Sequence, residues 1–498
     1  MYNLITLHKK DNVAVAPMSI PANKKITSNL ISKDLIPFGH KISLSKINKN
    51  DFVYKYGQII GVASKDIAEG EHVHLHNLEF SEFEREFKIN NRLNNESKSD
   101  DNFFFEGFKR KNGKFGTRNY IGLLSTVNCS ATVVKKIADT INNNPELQKY
   151  ENIDGAVCLK HSSGCGMNNK GYGMTVFNQT IEGFKHHPNF SKVFVIGLGC
   201  ECAQISLYKE DDDSVVYMNI QDEGGTKKII ENVSNQILDM LPDLNREERV
   251  KIPVSELTVA LQCGGSDAYS GITANPALGY ASDLLVQQGG STILAETPEI
   301  YGAEHLLIER ASDANIVKKL QQQIEWWKHY TSINESSMDN NPSPGNKKGG
   351  LTTILEKSLG AVAKSGTSVM EDVLSYAEPL KKKGFNYMDS PGYDPVSVTG
   401  QVASGSNVIC FTTGRGSCFG FKPAPSLKIA TNTNMYNKLE EDMDINAGVI
   451  MDGESDIKEI GEKIFNHILE TASGKLTKSE INGYGDDEFN PWIIGATM

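Results

Sequence analysis

Three histidines alternate with apolar residues near the N-terminus, in the run His72-Val73-His74-Leu75-His76. Every second side chain of a β-strand points to the same face, so this spacing predicts that the three imidazoles lie together. Neutral imidazole is the most common metal ligand in proteins, and the run therefore indicates a metal or catalytic site. The alternative is a polar sheet face without a metal. Nearby, His40, Lys41 and Lys55 could supply a base and cationic contacts to a carboxylate.

Further along the chain, cysteines and a histidine follow three successive apolar runs. They are Cys129, His161, Cys165, Cys200 and Cys202. One interpretation is a set of thiols around a metal or an iron–sulfur cluster, although no two cysteines have the C-x-x-C spacing. A second is a nucleophilic cysteine with His161 as its base. A third is that these are small residues in tight turns, and the sequence leaves all three open.

A glycine-rich loop spans Gln262 to Asp267 and continues to Asn275. Such a loop, opening into a helix, can hold an anion on its backbone N–H groups. The chain has no match to the pattern G-x-x-x-x-G-K-[ST], which argues against a nucleoside triphosphate. Glu296, Glu299 and Glu304 follow a predicted strand, and spaced carboxylates suit acid–base chemistry or a hard metal ion. Charge on a helix surface is the alternative, above all for Glu304.

Near the C-terminus, Arg415 lies in another glycine-rich loop, Thr412 to Ser417. Its guanidinium could bind a substrate carboxylate through two parallel hydrogen bonds. It could equally form a structural ion pair with an aspartate of the neighbouring runs.

The composition limits the classes of protein that can position these residues. The chain has 498 residues, a formal net charge of −11, 39% hydrophobic and 23% charged residues. Its length predicts about three domains. The acidic balance argues against nucleic acid or an anionic membrane as the main partner. We expect a cytoplasmic protein with reduced thiols, because no export signal and no run of ~18 apolar residues is present.

The pattern of strands and helices predicts a multidomain α/β protein. A small β-rich domain is expected at residues 1–80, a polar linker at 81–103, and two α/β domains with mainly parallel sheets at 104–250 and 251–498. Apolar runs without polar alternation, such as Tyr120–Leu124 and Gly155–Leu159, indicate strands buried on both faces. A polar stretch, Ser332 to Gly350, is predicted to be a long loop or an internal break. Ligands of open α/β sheets bind at the carboxyl ends of strands, where the glycine-rich loops lie.

Taken together, the motifs resemble the altronate/galactarate dehydratase family over essentially the whole chain. The segments that carry the resemblance are Gly116-Thr117-Arg118-Asn119, Cys263 to Gly279, Glu296 to Glu304, Pro344-Gly345-Asn346, Met388 to Pro395 and Phe411 to Ser417. Residues 1–80 resemble the SAF-type domain of that family through Gly39–Lys41, Lys55–Gly57 and Val73–Asn77.

The resemblance implies a hydro-lyase that converts an aldonic or aldaric acid into a 2-keto-3-deoxy acid. Its altronate branch forms 2-dehydro-3-deoxy-D-gluconate from D-altronate in hexuronate (galacturonate) breakdown. The length of the chain and the pattern of residues 1–80 favour this branch over the galactarate branch. Iron(II) is implied as the cofactor, with manganese(II) tolerated. A sulfolactate-cleaving relative usually carries the SAF-type part on a separate chain, so the fused chain here argues against that activity.

Chemical reasoning then suggests roles for the residues. We expect His74 and His76 to bind the metal, with His40 or His72 as a further ligand or as the base. Lys41 and Lys55 are candidates for the base or for contacts to the acid's carboxylate. The large domain would hold the substrate through a second set of side chains. That set is Arg415, Ser266, Asp267, Asn275 and Glu296.

Besides a multidomain scaffold without a ligand, against which the many polar motifs in glycine-rich loops argue, two alternatives remain open from the sequence. One is an iron–sulfur dehydratase that uses Cys129, Cys165 and either Cys200 or Cys263. The other is a non-catalytic sugar-acid-binding protein that kept the fold and lost the chemistry. In every case the expected partner is a small sugar acid, and a homodimer is expected from general frequency alone.

Overall fold

The computed structural model describes residues 2–83, 89 and 103–498. Most of the linker predicted at 81–103 therefore lies outside the described residues. Among the described residues, no helix is both long and apolar enough to cross a membrane.

The N-terminal domain consists of short antiparallel strands, as its alternating pattern predicts. Its two three-stranded sheets have the orders β1-β2-β5 and β3-β4-β6. The strands are β1 Val13–Val15, β2 Lys41–Ser43, β3 Phe52–Lys55, β4 Gln58–Ala63, β5 His72–Val73 and β6 Leu78–Glu79. Strand β2 pairs with both β1 and β5, which places the start of β2 beside the histidine run.

The second domain is built around a four-stranded parallel sheet of order β10-β9-β11-β12. Three further strands, β7, β8 and β13, form a small antiparallel sheet beside it. The elements are β7 Phe104–Lys109, β8 Phe115–Gly116, β9 Tyr120–Ser125, α1 Asn128–Asn142, β10 Gly155–Leu159, α2 Tyr172–Lys185, β11 Phe190–Gly197, β12 Val215–Asn219, α3 Thr226–Leu244 and β13 Val250–Pro253. The predicted parallel sheet is confirmed, and its central strand β9 is buried at every position.

The C-terminal domain contains a seven-stranded parallel sheet of order β16-β17-β15-β14-β18-β19-β20. Its strands are β14 Thr258–Cys263, β15 Ser291–Leu294, β16 Met370–Leu374, β17 Gly384–Met388, β18 Val408–Thr413, β19 Ser426–Ala430 and β20 Ile445–Asn446. The chain turns from one side of β14 to the other between β15 and β18, so the carboxyl ends of β14 and β18 flank the position where such sheets bind ligands.

Helices pack against this sheet. The helices of the domain are α4 Ala274–Gln287, α5 Glu304–Ile308, α6 Ala314–Ile333, α7 Pro344–Lys348, α8 Ile354–Val362, α9 Asp394–Ala403, α10 Thr433–Lys438, α11 Val449–Asp452, α12 Ile457–Ala472 and α13 Lys478–Ile481. Among them, α4 packs against β15, α6 against β16 and α9 against β14. The stretch from Ser332 to Gly350 was predicted to be a long loop or an internal break, but it contains the short helix α7. Ser343 caps that helix by accepting a hydrogen bond from the backbone N–H of Asn346.

The second and C-terminal domains are joined by buried polar contacts around Arg118. This side chain is 1% exposed, and its guanidinium forms two hydrogen bonds to the carboxylate of Glu480, at 2.7 and 2.9 Å. It also donates to the backbone carbonyl oxygens of Thr117, Thr471 and Lys475. The planar guanidinium thus ties the start of β9 to the segment after α12, which gives the Gly116–Asn119 motif a structural role.

We expect Arg118→Ala to lower the free energy of unfolding by about 3–5 kcal/mol, because it leaves a buried carboxylate and several carbonyls without a partner. Chemical denaturation followed by circular dichroism would measure the loss. Arg246→Ala is a matched control: Arg246 pairs with Asp243 on the surface, where both side chains are at least 74% exposed. A comparable loss in both variants would contradict the assigned role.

Candidate functional site

Three histidines converge in the N-terminal domain, where it contacts the C-terminal domain. His40 lies just before β2, His72 lies in β5, and His74 follows β5. Each offers a ring nitrogen, and the three nitrogens lie within 4.8 Å of one another. The Nδ1 atom of His40 is 3.0 Å from Nε2 of His72, and the His40 and His74 ring centroids are 4.7 Å apart. We call these residues the histidine triad.

The backbone of the histidine run differs from the predicted strand. Strand β5 ends at Val73, and residues 74–77 form a turn that the buried side chain of Asn77 holds in place. The Asn77 side chain accepts a hydrogen bond from the backbone N–H of His74 and donates one to the backbone oxygen of His72, both at 2.9 Å. The prediction of one continuous strand was therefore wrong, because a local side-chain bond replaces the ladder.

The chemical state of the triad suits a metal ion. Burial lowers the pKa of His72 to about 4 and that of His74 to about 3, and neighbouring cationic groups add to both shifts. Burial also lowers the pKa of His40. Neutral imidazoles can bind a metal without first losing a proton. The Nδ1 atom of His74 is buried and has no hydrogen-bond partner among the described residues, and a metal would satisfy it.

His76 lies outside this triad. Its side chain is exposed, and its ring centroid is 5.3 Å from that of His72. His40 joins the triad instead, because β2 and β5 are paired so that Ile42 faces His72. One ring nitrogen of His40 contacts His72 and the other lies 3.3 Å from the backbone oxygen of Lys348. Binding a metal would exchange one of these contacts for a coordinate bond.

Lys41 and Lys55 share one buried carboxylate. The Lys41 amine lies 2.8 Å from Oε2 of Glu356, and the Lys55 amine lies 2.9 Å from Oε1 of the same side chain. All three side chains are at most 2% exposed. Lys41 also donates to the backbone oxygen of Gly350. Glu356 belongs to α8, so this cluster joins the N-terminal domain to the C-terminal domain.

The electrostatics of that cluster follow from its burial. Burial lowers the pKa of Lys41 to about 8 against the opposing charge of Glu356. For Lys55, the lowering effect of burial is exceeded by the combined charges and hydrogen bonds of Glu356 and Tyr56, which raise its pKa. The two ammonium groups together overcome burial and lower the pKa of Glu356. Both amines are engaged within the protein, and the roles of Lys41 and Lys55 as the base or as contacts to the acid's carboxylate stay a prediction.

A second group of polar residues lies at the carboxyl edge of the seven-stranded sheet. Cys263 ends β14, and Glu296 and Glu299 follow β15. The Cys263 sulfur, an oxygen of Glu296 and an oxygen of Glu299 lie within 4.8 Å of one another. Burial and the charge of Glu299 raise the pKa of Glu296. Burial and the charge of Glu299 raise the pKa of Asp394, at the start of α9, to about 7, against the opposing charges of Lys357 and Lys364.

The predicted substrate-binding residues of the glycine-rich loop are engaged in internal hydrogen bonds. The carboxylate of Asp267 accepts bonds from the backbone N–H groups of Tyr269 and Ser270 and from the side chains of Thr431 and Asn432. Asn275 donates to the backbone oxygen of Gly360 and accepts from the Thr412 hydroxyl. Both side chains therefore shape the loop.

Ser266 and Arg415 differ from these two. Ser266 is buried, and its backbone oxygen accepts a bond from Asn346. Arg415 is exposed, and the described residues contain no ion pair to its guanidinium. A Cβ atom on Gly265 would lie 3.3 Å from Cβ of Arg415, so this arginine stands next to the glycine-rich loop. It remains free to bind an anion.

The cysteine loops of the second domain meet at the carboxyl edge of its sheet. The backbone N–H of Asn128 donates to the oxygen of Ser163, and that of Ala203 donates to the oxygen of Gly164. The thiols are exposed in each case: Cys129, Cys165, Cys200 and Cys202. His161 is not a free base, because one ring nitrogen contacts the Ser125 backbone oxygen and the other accepts from the Ser163 N–H.

Several residues of these sites were not found from the sequence. Glu356, Lys357, Lys364 and Asn341 lie far from their partners along the chain, so no local spacing marks them. The one signal is the pattern Thr353-x-x-Glu356, which indicates a helix start. It predicts the position of α8 but not the buried partners of Glu356.

Family models match nearly the whole chain. Residues 2–81 match the altronate/galactarate dehydratase SAF domain, residues 107–245 match the second domain of D-galactarate dehydratase/altronate hydrolase, and residues 254–497 match the C-terminal domain of D-galactarate/altronate dehydratase.

Curated relatives cover similar lengths. An altronate dehydratase from Bacillus subtilis is 35% identical over 97% of this chain and 98% of its own. A galactarate dehydratase (L-threo-forming) from Escherichia coli is 39% identical over 95% of this chain and 93% of its own. An altronate dehydratase from Escherichia coli is 35% identical over 96% of this chain and 97% of its own.

Proposed function

Because the chain belongs to the altronate/galactarate dehydratase family, we propose that it is a hydro-lyase that removes water from D-altronate to give 2-dehydro-3-deoxy-D-gluconate. The observation that carries the proposal is the match to altronate dehydratases from end to end, at 35% identity. Galactarate is the second candidate substrate, since the galactarate dehydratase is 39% identical.

The reaction places defined demands on the protein. The hydrogen on C2 of a sugar acid is very weakly acidic, since its removal puts a second negative charge next to the carboxylate. A divalent metal, when bound, stabilises that charge as a Lewis acid. A base must remove the C2 proton, and an acid must protonate the C3 hydroxyl as it leaves.

The histidine triad supports the metal site. His40, His72 and His74 are half-buried to buried and stay neutral at physiological pH, so they fit Fe²⁺, with Mn²⁺ as a further possibility. We therefore propose that His40 and His72 act as ligands together with His74, and that the exposed imidazole of His76 serves either as a further ligand or in proton transfer. This arrangement keeps the metal near the boundary between two domains, where ligand clefts are common.

Arg415 is the proposed contact to the sugar acid from the C-terminal domain. It is exposed, carries no internal ion pair among the described residues, and lies beside Gly265 at the switch point of the large sheet. We also propose a cytoplasmic location, which is supported by eight free cysteines.

The direct test is turnover of defined acids by protein purified without oxygen and supplied with iron(II). We expect a 2-keto-3-deoxy product from altronate and its loss when a chelator removes the metal. Arg415→Ala should raise KM by about tenfold or more, because one charge-assisted contact to the substrate is removed. The decrease in kcat should be smaller than this. Lys422→Ala provides a control, since Lys422 pairs with Asp486 near the surface.

Product from galactarate alone would keep the reaction and change the substrate. If no acid gives a keto product while the protein is folded and holds metal, the dehydratase proposal is wrong and a non-catalytic binding protein becomes the better explanation.

A further inference from the structure

The C-terminal domain contains a buried group of potential metal ligands that is separate from the histidine triad. Cys263, Glu296 and Glu299 come from the carboxyl ends of β14 and β15, and one ligand atom of each lies within 4.8 Å of the others. We call them the Cys263 cluster. Their side chains belong to the C-terminal domain alone, whereas the histidine triad belongs to the N-terminal domain.

Glu296 is the unusual member of the cluster. Its side chain is fully buried, and neither carboxylate oxygen has a hydrogen-bond partner among the described residues. Burying an ionised carboxylate without partners is costly, so proteins neutralise such a group with a proton or pair it with a cation. Its backbone also has φ of +78°, a conformation that non-glycine residues rarely adopt and that is most common at functional sites.

The other two members are held by lysines. The amine of Lys364 is 2.9 Å from the Cys263 sulfur, and the amine of Lys357 is 2.6 Å from Oε1 of Glu299. Each contact places a cationic amine beside a potential ligand atom. Oε2 of Glu299 is 4.0 Å from the Cys263 sulfur, and one of the two unpartnered oxygens of Glu296 lies within 4.8 Å of the other ligand atoms.

In its fully ionised form the cluster and its neighbours carry more negative than positive charge. Asp394 adjoins it, since a Cβ atom on Gly264 would contact the Asp394 carboxylate. When all are ionised, this aspartate, the two glutamates and the thiolate give four negative charges against the two lysines. The formal excess is therefore two negative charges, which one divalent cation would neutralise.

We propose that Cys263, Glu296 and Glu299 bind a divalent transition-metal cation of intermediate hardness, of the type of Zn²⁺ or Fe²⁺, at a second metal site. A thiolate favours soft ions and carboxylates favour hard ones, so a mixed set selects ions between these classes. Magnesium and calcium, which prefer oxygen ligands only, fit less well. The inference rests on the geometry of the C-terminal domain and does not depend on the proposed dehydratase activity.

The surface is nearest to the cluster at the start of α9. Asp394 is partly exposed, and the adjoining Tyr393 is 57% exposed. A Cβ atom on Gly392 would lie 3.0 Å from Cγ of Glu299 and 3.3 Å from the side-chain amide of Asn341, so Gly392 lies next to the cluster.

Cobalt(II) is the probe for this site, because its bonds to thiolates produce a charge-transfer absorption in the near ultraviolet. Full-length protein, reduced and freed of metal, would be titrated with cobalt without oxygen. We expect the thiolate absorption in the native protein and its loss in Cys263→Ser. Glu296→Gln, which keeps the shape of the side chain, should weaken cobalt binding at this site by at least about tenfold.

Two control variants separate this site from others. Cys410→Ser changes a buried cysteine of β18 that is not a member of the cluster, and the absorption should persist. His74→Ala should also keep it, because the histidine triad contains no sulfur. Circular dichroism would confirm that each variant is folded.

Absence of the thiolate absorption from the folded native protein would overturn the proposal. Its persistence in folded Cys263→Ser would do the same, since it would assign the sulfur ligand to one of the other thiols. If Cys263→Ser does not fold, unchanged cobalt affinity and an unchanged spectrum in Glu296→Gln would also contradict the site. Neither result would bear on turnover of sugar acids, which is measured separately.

Discussion

His74→Ala is expected to lower kcat by a factor on the order of 10³ or more and to remove the equivalent of one bound metal ion. His74 contributes the buried Nδ1 atom that has no partner among the described residues, so a metal is the group that this atom fits. Loss of one of three converging imidazoles leaves His40 and His72, whose ring nitrogens already contact one another at 3.0 Å. Two such ligands would hold an ion far more weakly than three.

Activity with altronate and metal content after dialysis would be measured on the same preparation. The control is His329→Ala, which removes an exposed histidine of α6 in another domain. An unfolding temperature of His74→Ala close to that of the native protein would exclude a folding defect. We expect this result because His74 lies in a turn and not in a hydrophobic core. Normal metal content together with full turnover would refute the assignment of the histidine triad.

The position of this site could be predicted from the sequence, but not its composition. Alternating histidines at 72, 74 and 76 were noticed because period two is a local pattern. The turn that Asn77 imposes and the arrival of His40 depend on the pairing of β2 with β5, which no local spacing encodes. The sequence therefore indicated the segment of His72 and His74, whereas the fold adds His40 to the triad and leaves His76 outside it.

The regular elements were predicted best where the pattern is longest and least ambiguous. The apolar run Gly155–Leu159 is found as β10 with the same bounds, since it is buried on both sides and followed by polar residues. Short segments were less predictable: α7 has five residues and begins at a proline within a polar stretch. Its helix depends on the Ser343 cap more than on hydrophobic periodicity.

Buried charge was the hardest feature to predict. Lys41 precedes Ile42 and Lys55 precedes Tyr56. These neighbours do not indicate that both lysine amines are buried. Asp267 and Asn275 have the residue types of a catalytic loop, yet their polar atoms bind Thr431, Thr412 and the backbone. Sequence patterns identify polar groups, whereas only the folded chain shows whether their hydrogen bonds are already used.

The largest effect on stability is expected from Glu356→Gln. This one carboxylate neutralises the ammonium groups of Lys41 and Lys55, and it also accepts hydrogen bonds from the backbone N–H and the hydroxyl of Thr352. Glutamine keeps the shape but not the charge, so two ammonium groups stay buried without a counterion. Breaking a buried pair costs about 3–5 kcal/mol, and we expect at least this loss in the free energy of unfolding.

Urea unfolding followed by circular dichroism and by limited proteolysis would show whether the N-terminal domain separates first. Glu325→Gln is the control, because its partner Lys328 lies on the surface of α6 and both side chains are at least 41% exposed. That variant should lose less than about 1 kcal/mol.

A second substitution distinguishes charge from packing. Lys41→Met in the Glu356→Gln background removes one of the two uncompensated charges while keeping a long apolar stem, so it should recover part of the lost stability. No recovery would mean that the hydrogen bonds of Glu356, to Thr352 above all, matter more than its charge. Recovery would show that electrostatic pairing across the domain boundary holds β2 against α8, and with it the position of His40 in the triad.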